Sequence, residues 1–209
     1  MTLKTRFRYL YDKARDIAQA SPASKPLPAL FFFTDPARTS KPEVVAAHLP
    51  EGCGVVYRHF GEAGAGPRAR LLHRIATDRG LILLIGNDRD LALDVGAHGV
   101  HLREADLGQA AAFRLRHPDM IVTAACHDVA TLAHPAMVEG AVAAIFVSPV
   151  FASRSASAAG ARLLGIQGAR AFAEGSPVPV YGLGGMTCDT IPTLRGCGLA
   201  GVGAVEAFL

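Results

Sequence analysis

Short, almost unbroken apolar runs recur eight times along this chain, at residues 30–34, 54–58, 81–85, 99–102, 120–124, 143–147, 178–182 and 201–204. A strand that is apolar on both faces belongs to a parallel sheet covered by helices, because no face of it meets water. Helical patterns fill the intervals, at residues 67–79, 89–95, 107–117, 128–138, 165–173 and 188–195. Eight alternations of this kind predict an α/β fold, a (β/α)8 TIM barrel, with a doubly wound open sheet as the competing arrangement. Two features depart from the ideal pattern. The helix between the first two strands is short, and the chain runs only to Leu209 after the last strand, so the eighth helix is expected to be stunted.

Residues 5–20 form an extra N-terminal helix, since Phe7, Leu10, Tyr11, Ala14 and Ile17 recur at helical spacing among Arg, Lys and Asp. The expected organisation is a helix and linker over 1–28 followed by one barrel over 29–209. The helix is expected to cover the surface that a full eighth helix would cover. A gap left there would expose apolar surface and invite a homodimer.

Composition bears on this in three ways. Half of the 209 residues are apolar and 19% are charged, enough for a large closed core. With 21 Lys and Arg against 18 Asp and Glu, the net charge of +3 and the lack of a basic run argue against nucleic acid. The four cysteines form no C-x-x-C pair, and no run nears the about 18 apolar residues that span a bilayer, so a cytoplasmic protein without membrane attachment is expected.

The strand ends locate the chemistry, because barrels of this type place their sites at the C-terminal ends of their strands. Gly-Leu-Gly-Gly at 182–185 and Gly-Val-Gly-Ala at 201–204 can present backbone N–H groups to a phosphate, with Gly184, Gly185 and Gly203 closest and a helix start adding its dipole. Tight packing alone would also explain these glycines. The loop 148–155 adds Ser153, Arg154 and Ser155, which equally describe a polar surface loop.

These residues carry a resemblance. Asp90-Leu-Ala-Leu-Asp-Val-Gly-Ala-His-Gly-Val-His-Leu102 with Ala105, Asp106 and Leu107, Phe146 to Ser153, Tyr181-Gly-Leu-Gly-Gly-Met186 and residues 198–204 stand in the order of the motifs of the thiamine phosphate synthase/TenI superfamily. Thr34-Asp35 resembles its first strand end. The resemblance implies a thiamin-biosynthesis barrel that binds a thiazole phosphate. A synthase of this family joins it to a pyrimidine diphosphate and releases pyrophosphate with Mg²⁺.

Carried over residue by residue, the match is uneven. Arg58 keeps the family's second-strand Arg, while Val56 and Phe60 stand where its Gln and Lys would be. Asp106 matches one metal carboxylate. The other falls on Asn87 in an ungapped match, or on Asp88 if one residue is deleted. Ala125 replaces a Ser, and Arg154 is left to supply the charge of a lost Lys. Glu206 is an awkward neighbour for a phosphate unless it points away. His127 matches the histidine of TenI proteins, which tautomerise a thiazole carboxylate phosphate without a metal; an imidazole suits that proton transfer. Asp128 beside it could simply cap a helix and leave His127 incidental. His101 reads as a structural histidine and His59 as exposed.

The resemblance therefore leaves three functions: a TenI-like tautomerase with His127 and Arg58 as catalytic groups and no cofactor, slightly favoured; a synthase with Mg²⁺ on Asp106 and Asp88; and a non-catalytic barrel that binds a thiamin-pathway phosphate.

Overall fold

The computed structural model describes residues 2–22, 27–154 and 160–209. Helix α1 (Leu3–Gln19) precedes strand β1 (Leu30–Phe33), and α2 (Pro42–His48), β2 (Gly54–Tyr57), α3 (Ala65–Arg79), β3 (Ile82–Gly86), α4 (Arg89–Asp94), β4 (Gly99–Leu102), α5 (Ala110–Arg116) and β5 (Ile121–Cys126) come next. The chain continues through α6 (Pro135–Val138), β6 (Ala144–Val147), α7 (Gly165–Gly175), β7 (Val180–Gly182) and β8 (Gly201–Ala204). The eight strands are parallel, pair in sequence order and close where β8 meets β1, with Phe31 opposite Gly203. The barrel reading of the sequence holds, and the open-sheet alternative does not.

The barrel interior is aromatic. Phe31, Phe33, Phe146 and Tyr181 point inward with Val56 and Leu84, and their rings meet edge-on or tilted at centroid separations of 4.9–5.7 Å. Rings this large need small neighbours. A Cβ at Gly54 would stand 2.1 Å from the Phe31 ring, and one at Gly203 would stand 2.6 Å from Phe33. Large and small residues thus interdigitate across the ring of strands.

Helix α1 packs on β1 and β8, burying Phe7, Leu10, Ala14 and Ile17. Phe208, in the three-residue 3₁₀ turn Glu206–Phe208 that stands for the eighth helix, lies 5.1 Å from both Phe7 and Phe32. Arg6 donates to the carbonyl oxygens of Leu209 and Glu206, tying the helix to the chain's last turn. The N-terminal helix therefore sits where an eighth helix would pack. It covers the faces of β1 and β8 there, while Leu3, Tyr9 and Leu209 remain exposed.

Three helical segments are shorter than their periodicity suggests. Residues 188–195 supply only the 3₁₀ turn Ile191–Leu194, because Pro192 cannot donate and Thr190 turns its hydroxyl back onto the Gly185 carbonyl. The segment 128–138 breaks at Pro135, where His134 stays extended and caps Ala136 through Nδ1. Residues 104–109 wind as a 3₁₀ turn before α5. No helix among the described residues is long and apolar enough to cross a membrane.

Candidate active site

The turns after β1, β2, β5, β6, β7 and β8 surround a cleft of about 320 Å³. Arg38, Arg58, His127, Ser148, Ser153, Arg162, Gly184, Gly185 and Glu206 line it. It lies at the C-terminal ends of the strands, the catalytic face of such barrels.

Arg58 comes directly after β2. Its backbone N–H donates to the Thr34 hydroxyl at 2.8 Å, and its Nε donates to the Thr34 carbonyl at 2.8 Å. The guanidinium lies 5.4 Å from the ring centroids of Phe33 and Phe60, and Nη2 is buried without a hydrogen-bond partner among the described residues. Burial lowers its pKa to about 10, with the charge of Asp35 working the other way, so it remains a cation at neutral pH. A buried donor without a partner is costly, and an anionic ligand in the cleft would satisfy it.

Arg38 is a cleft residue that the motifs do not single out. It chelates Asp35 through Nε at 2.9 Å and Nη2 at 2.7 Å, and reaches Glu206 through Nη1 at 3.4 Å. Burial works against the Asp35 charge, but the bonds and charge of Arg38 outweigh it and hold the carboxyl below its usual pKa. The Asp35-x-x-Arg38 spacing is the signal that could disclose this pair. Arg162, equally unmarked by any motif, is an exposed cation on the cleft rim with no ion pair among the described residues.

His127 donates from Nδ1 to the Ser148 carbonyl at 2.8 Å, which fixes the tautomer and leaves Nε2 as a lone-pair base when the ring is neutral. Asp128 does cap the next turn, accepting from Ala130 N–H at 2.9 Å. The cap is thus Asp128's role, while His127 turns its ring to the Ser148 carbonyl in the cleft. Glu104 steadies the turn by accepting from the backbone N–H of His127 at 3.2 Å.

His101 is buried, bonded to Thr123 at 3.0 Å and set edge-on to Phe33 and Phe146. Burial, with the nearby charges of Arg58 and His127, lowers its pKa to about 3. It is a neutral structural histidine. His59, expected to be exposed, is instead half-buried and bonds Asp88 at 3.1 Å.

The glycines divide. Gly184 and Gly185 line the cleft with φ of 91° and 65°, which only glycine adopts without strain. A Cβ on either would strike the loop after β6, at Pro149 and at the Ala152 carbonyl. Gly203 lies within β8 under the Phe33 ring, away from the cleft lining. Among the described residues no α-helix begins at either glycine turn; only the three-residue 3₁₀ turn Glu206–Phe208 follows β8, so the full helix dipole expected there is not supplied. Ser153 and Arg154 flank the cleft, and Ser155 lies outside the described residues.

The carboxylates expected to hold Mg²⁺ are otherwise engaged. Asp88 caps α4, accepting from Leu91 N–H at 2.9 Å, and its other oxygen pairs with His59. Asp106 pairs with Arg103 at 2.7 Å. The Asn87 amide, oriented to satisfy its neighbours, donates to Asp106 at 2.9 Å. Asn87, not Asp88, therefore faces Asp106. One carboxylate already neutralised by a guanidinium, beside an amide, does not fit a divalent ion held by two carboxylates. No group of three or more Asp, Glu, His or Cys stands ready for a metal among the described residues.

The fold and cleft define a (β/α)8 barrel enzyme with a guanidinium-rich mouth. Comparison with known proteins is more specific: the family model for thiamine monophosphate synthase matches residues 30–208, and the chain belongs to that family. It is 35% identical over 167 residues to the thiamine-phosphate synthase of Anaeromyxobacter dehalogenans, covering 78% of this chain and 73% of that one. Identity is 30% over 185 residues to that of Halorhodospira halophila, with 87% of each covered. It is also 37% identical over 173 residues to the bifunctional protein ThiM/ThiE of Symbiobacterium thermophilum, spanning 80% of this chain but only 35% of that longer protein. Thiamine phosphate pyrophosphorylase from Pyrococcus furiosus has a similar structure, with a TM-score of 0.71 at 19% identity over 85% of each chain. At that identity the likeness speaks for the fold.

Proposed function

We propose that this barrel is a transferase of thiamin biosynthesis, joining a pyrimidine diphosphate to a thiazole acceptor. The C–O bond to the diphosphate breaks, a C–N bond to the thiazole nitrogen forms, and pyrophosphate leaves. One observation carries the reading: Arg58, a cation at neutral pH with a buried unsatisfied Nη2, shares its cleft with the exposed Arg162. A departing diphosphate gathers negative charge as its bond breaks, and fixed guanidinium donors stabilise that charge more than the ground state. The names of the relatives favour this transfer over proton-transfer chemistry. The arginines carry the charge in this reading, because the donors at Asp106 and Asp88 do not suit a metal.

The His127 tautomer favours a second reading. A base at Nε2 inside an arginine-lined cleft suits the TenI-like tautomerisation of a thiazole carboxylate. One experiment separates the two. The protein is incubated with the pyrimidine diphosphate and the thiazole acceptor in Mg²⁺ buffer, and pyrophosphate and the coupled product are measured. Turnover is expected, and it is expected to fall at least 100-fold in Arg58→Gln, since a charge-assisted contact to a transition state of this kind is worth roughly 2.7–4 kcal/mol. Absence of coupling, together with isomerisation of the thiazole carboxylate abolished by His127→Ala, would establish the second reading in its place.

A further inference from the structure

Glu206 does not point away from the cleft. It lines it, with its side chain 15% exposed, among Gly184, Gly185, Ser153 and Val205. Its Oε1 accepts from Arg154 N–H at 3.2 Å, from Arg154 Nε at 3.4 Å and from Arg38 Nη1 at 3.4 Å. These donors form a ready anion pocket, and a side chain of the protein already fills it. Charge decides what else this corner can accept. Arg38 and Arg154 contribute two positive charges, and Asp35 and Glu206 contribute two negative ones, so the corner is neutral as built. A phosphate dianion entering it would meet the Glu206 carboxylate, with Arg38 and Arg154 already paired. An alcohol would meet the reverse, since Glu206 Oε2 accepts no hydrogen bond from any described residue and can take a hydroxyl proton. The unbalanced positive charge of the same cleft is that of Arg58 and Arg162.

We propose that Glu206 is a specificity residue that sets the acceptor corner for an uncharged hydroxyl group, so that the thiazole is taken as its free alcohol in preference to its phosphate ester. This rests on the transferase reading for the identity of the thiazole; the role of the carboxylate is independent of it. Discrimination comes from placing a like charge where the unwanted ester would put its own. Calorimetric titration of the full chain with the thiazole alcohol, the thiazole phosphate and inorganic phosphate tests it, in the wild type, Glu206→Gln and Glu206→Ser. The wild type is expected to bind the alcohol at least tenfold more tightly than the ester. Either variant is expected to gain at least tenfold in affinity for the ester and for inorganic phosphate. A wild type that prefers the ester tenfold, or phosphate affinities unchanged in both variants, would overturn the proposal. If neither thiazole binds any form of the protein, the transferase reading fails, and the inorganic phosphate titration alone then decides the role of Glu206.

Discussion

Arg58 and His101 stand near each other, and the barrel treats them oppositely. Arg58 keeps its charge despite burial because a guanidinium starts so far above neutral pH that a drop to about 10 leaves it protonated. His101 starts near neutrality, and the same burial strips it of its proton. The sign of that shift sets its effect on stability. Above the unfolded value of 6.5 the ring is neutral in both states and contributes fully. As pH falls from 6.5 towards 3 the unfolded chain takes up a proton that the folded barrel refuses, and stability is lost at about 1.4 kcal/mol per pH unit for this one group. Urea unfolding at pH 7 and pH 4.5 is expected to show a smaller loss of stability on acidification for His101→Gln than for the wild type; equal losses would place the acid sensitivity elsewhere. Residues like these are only partly legible in the sequence. The place of His101 in a Gly-Val-His-Leu run marks it as buried, because a strand apolar on both faces leaves it nowhere to go. The partners of Asp88, Asp106 and Arg38 are hidden, since spacing along the chain does not say which of several neighbours a short polar side chain will choose.

At the level of elements, the strands can be read almost to the residue, and the helices less well. A strand buried on both faces advertises itself with continuous hydrophobicity, as β1 and β6 do, and little else looks the same. The stretches after β5 and β7 have helical periodicity, yet Pro135 and Pro192 interrupt them and side-chain oxygens and nitrogens satisfy the freed backbone groups. The third-strand loop shows what a one-residue register means. With Asn87 facing Asp106, Asp88 is released to start α4, where its side chain satisfies an N–H that the helix itself cannot. Asp88→Ala is accordingly expected to cost about 1 kcal/mol of stability as a lost cap, read from the shift of a denaturant unfolding midpoint. The same substitution in a metal ligand would instead abolish Mg²⁺-dependent activity, so unchanged stability with lost activity would speak against this assignment.

Across the whole molecule, closure of the barrel brings together residues far apart in the chain. Arg38, Arg58, His127, Arg162 and Glu206 come from different turns and meet only because β8 returns to β1. Helix α1 completes that closure by covering β1 and β8, and so holds the Glu206–Phe208 turn in place beneath the cleft. Charge is distributed unevenly over the resulting mouth: balanced beside Glu206, and in positive excess at Arg58 and Arg162. In the proposed transfer that excess is the anchor for the diphosphate. Titration of the protein with inorganic pyrophosphate measures it directly. Saturable binding that weakens at least tenfold in Arg58→Gln is the predicted result, and equal affinity in the wild type and the variant would contradict it.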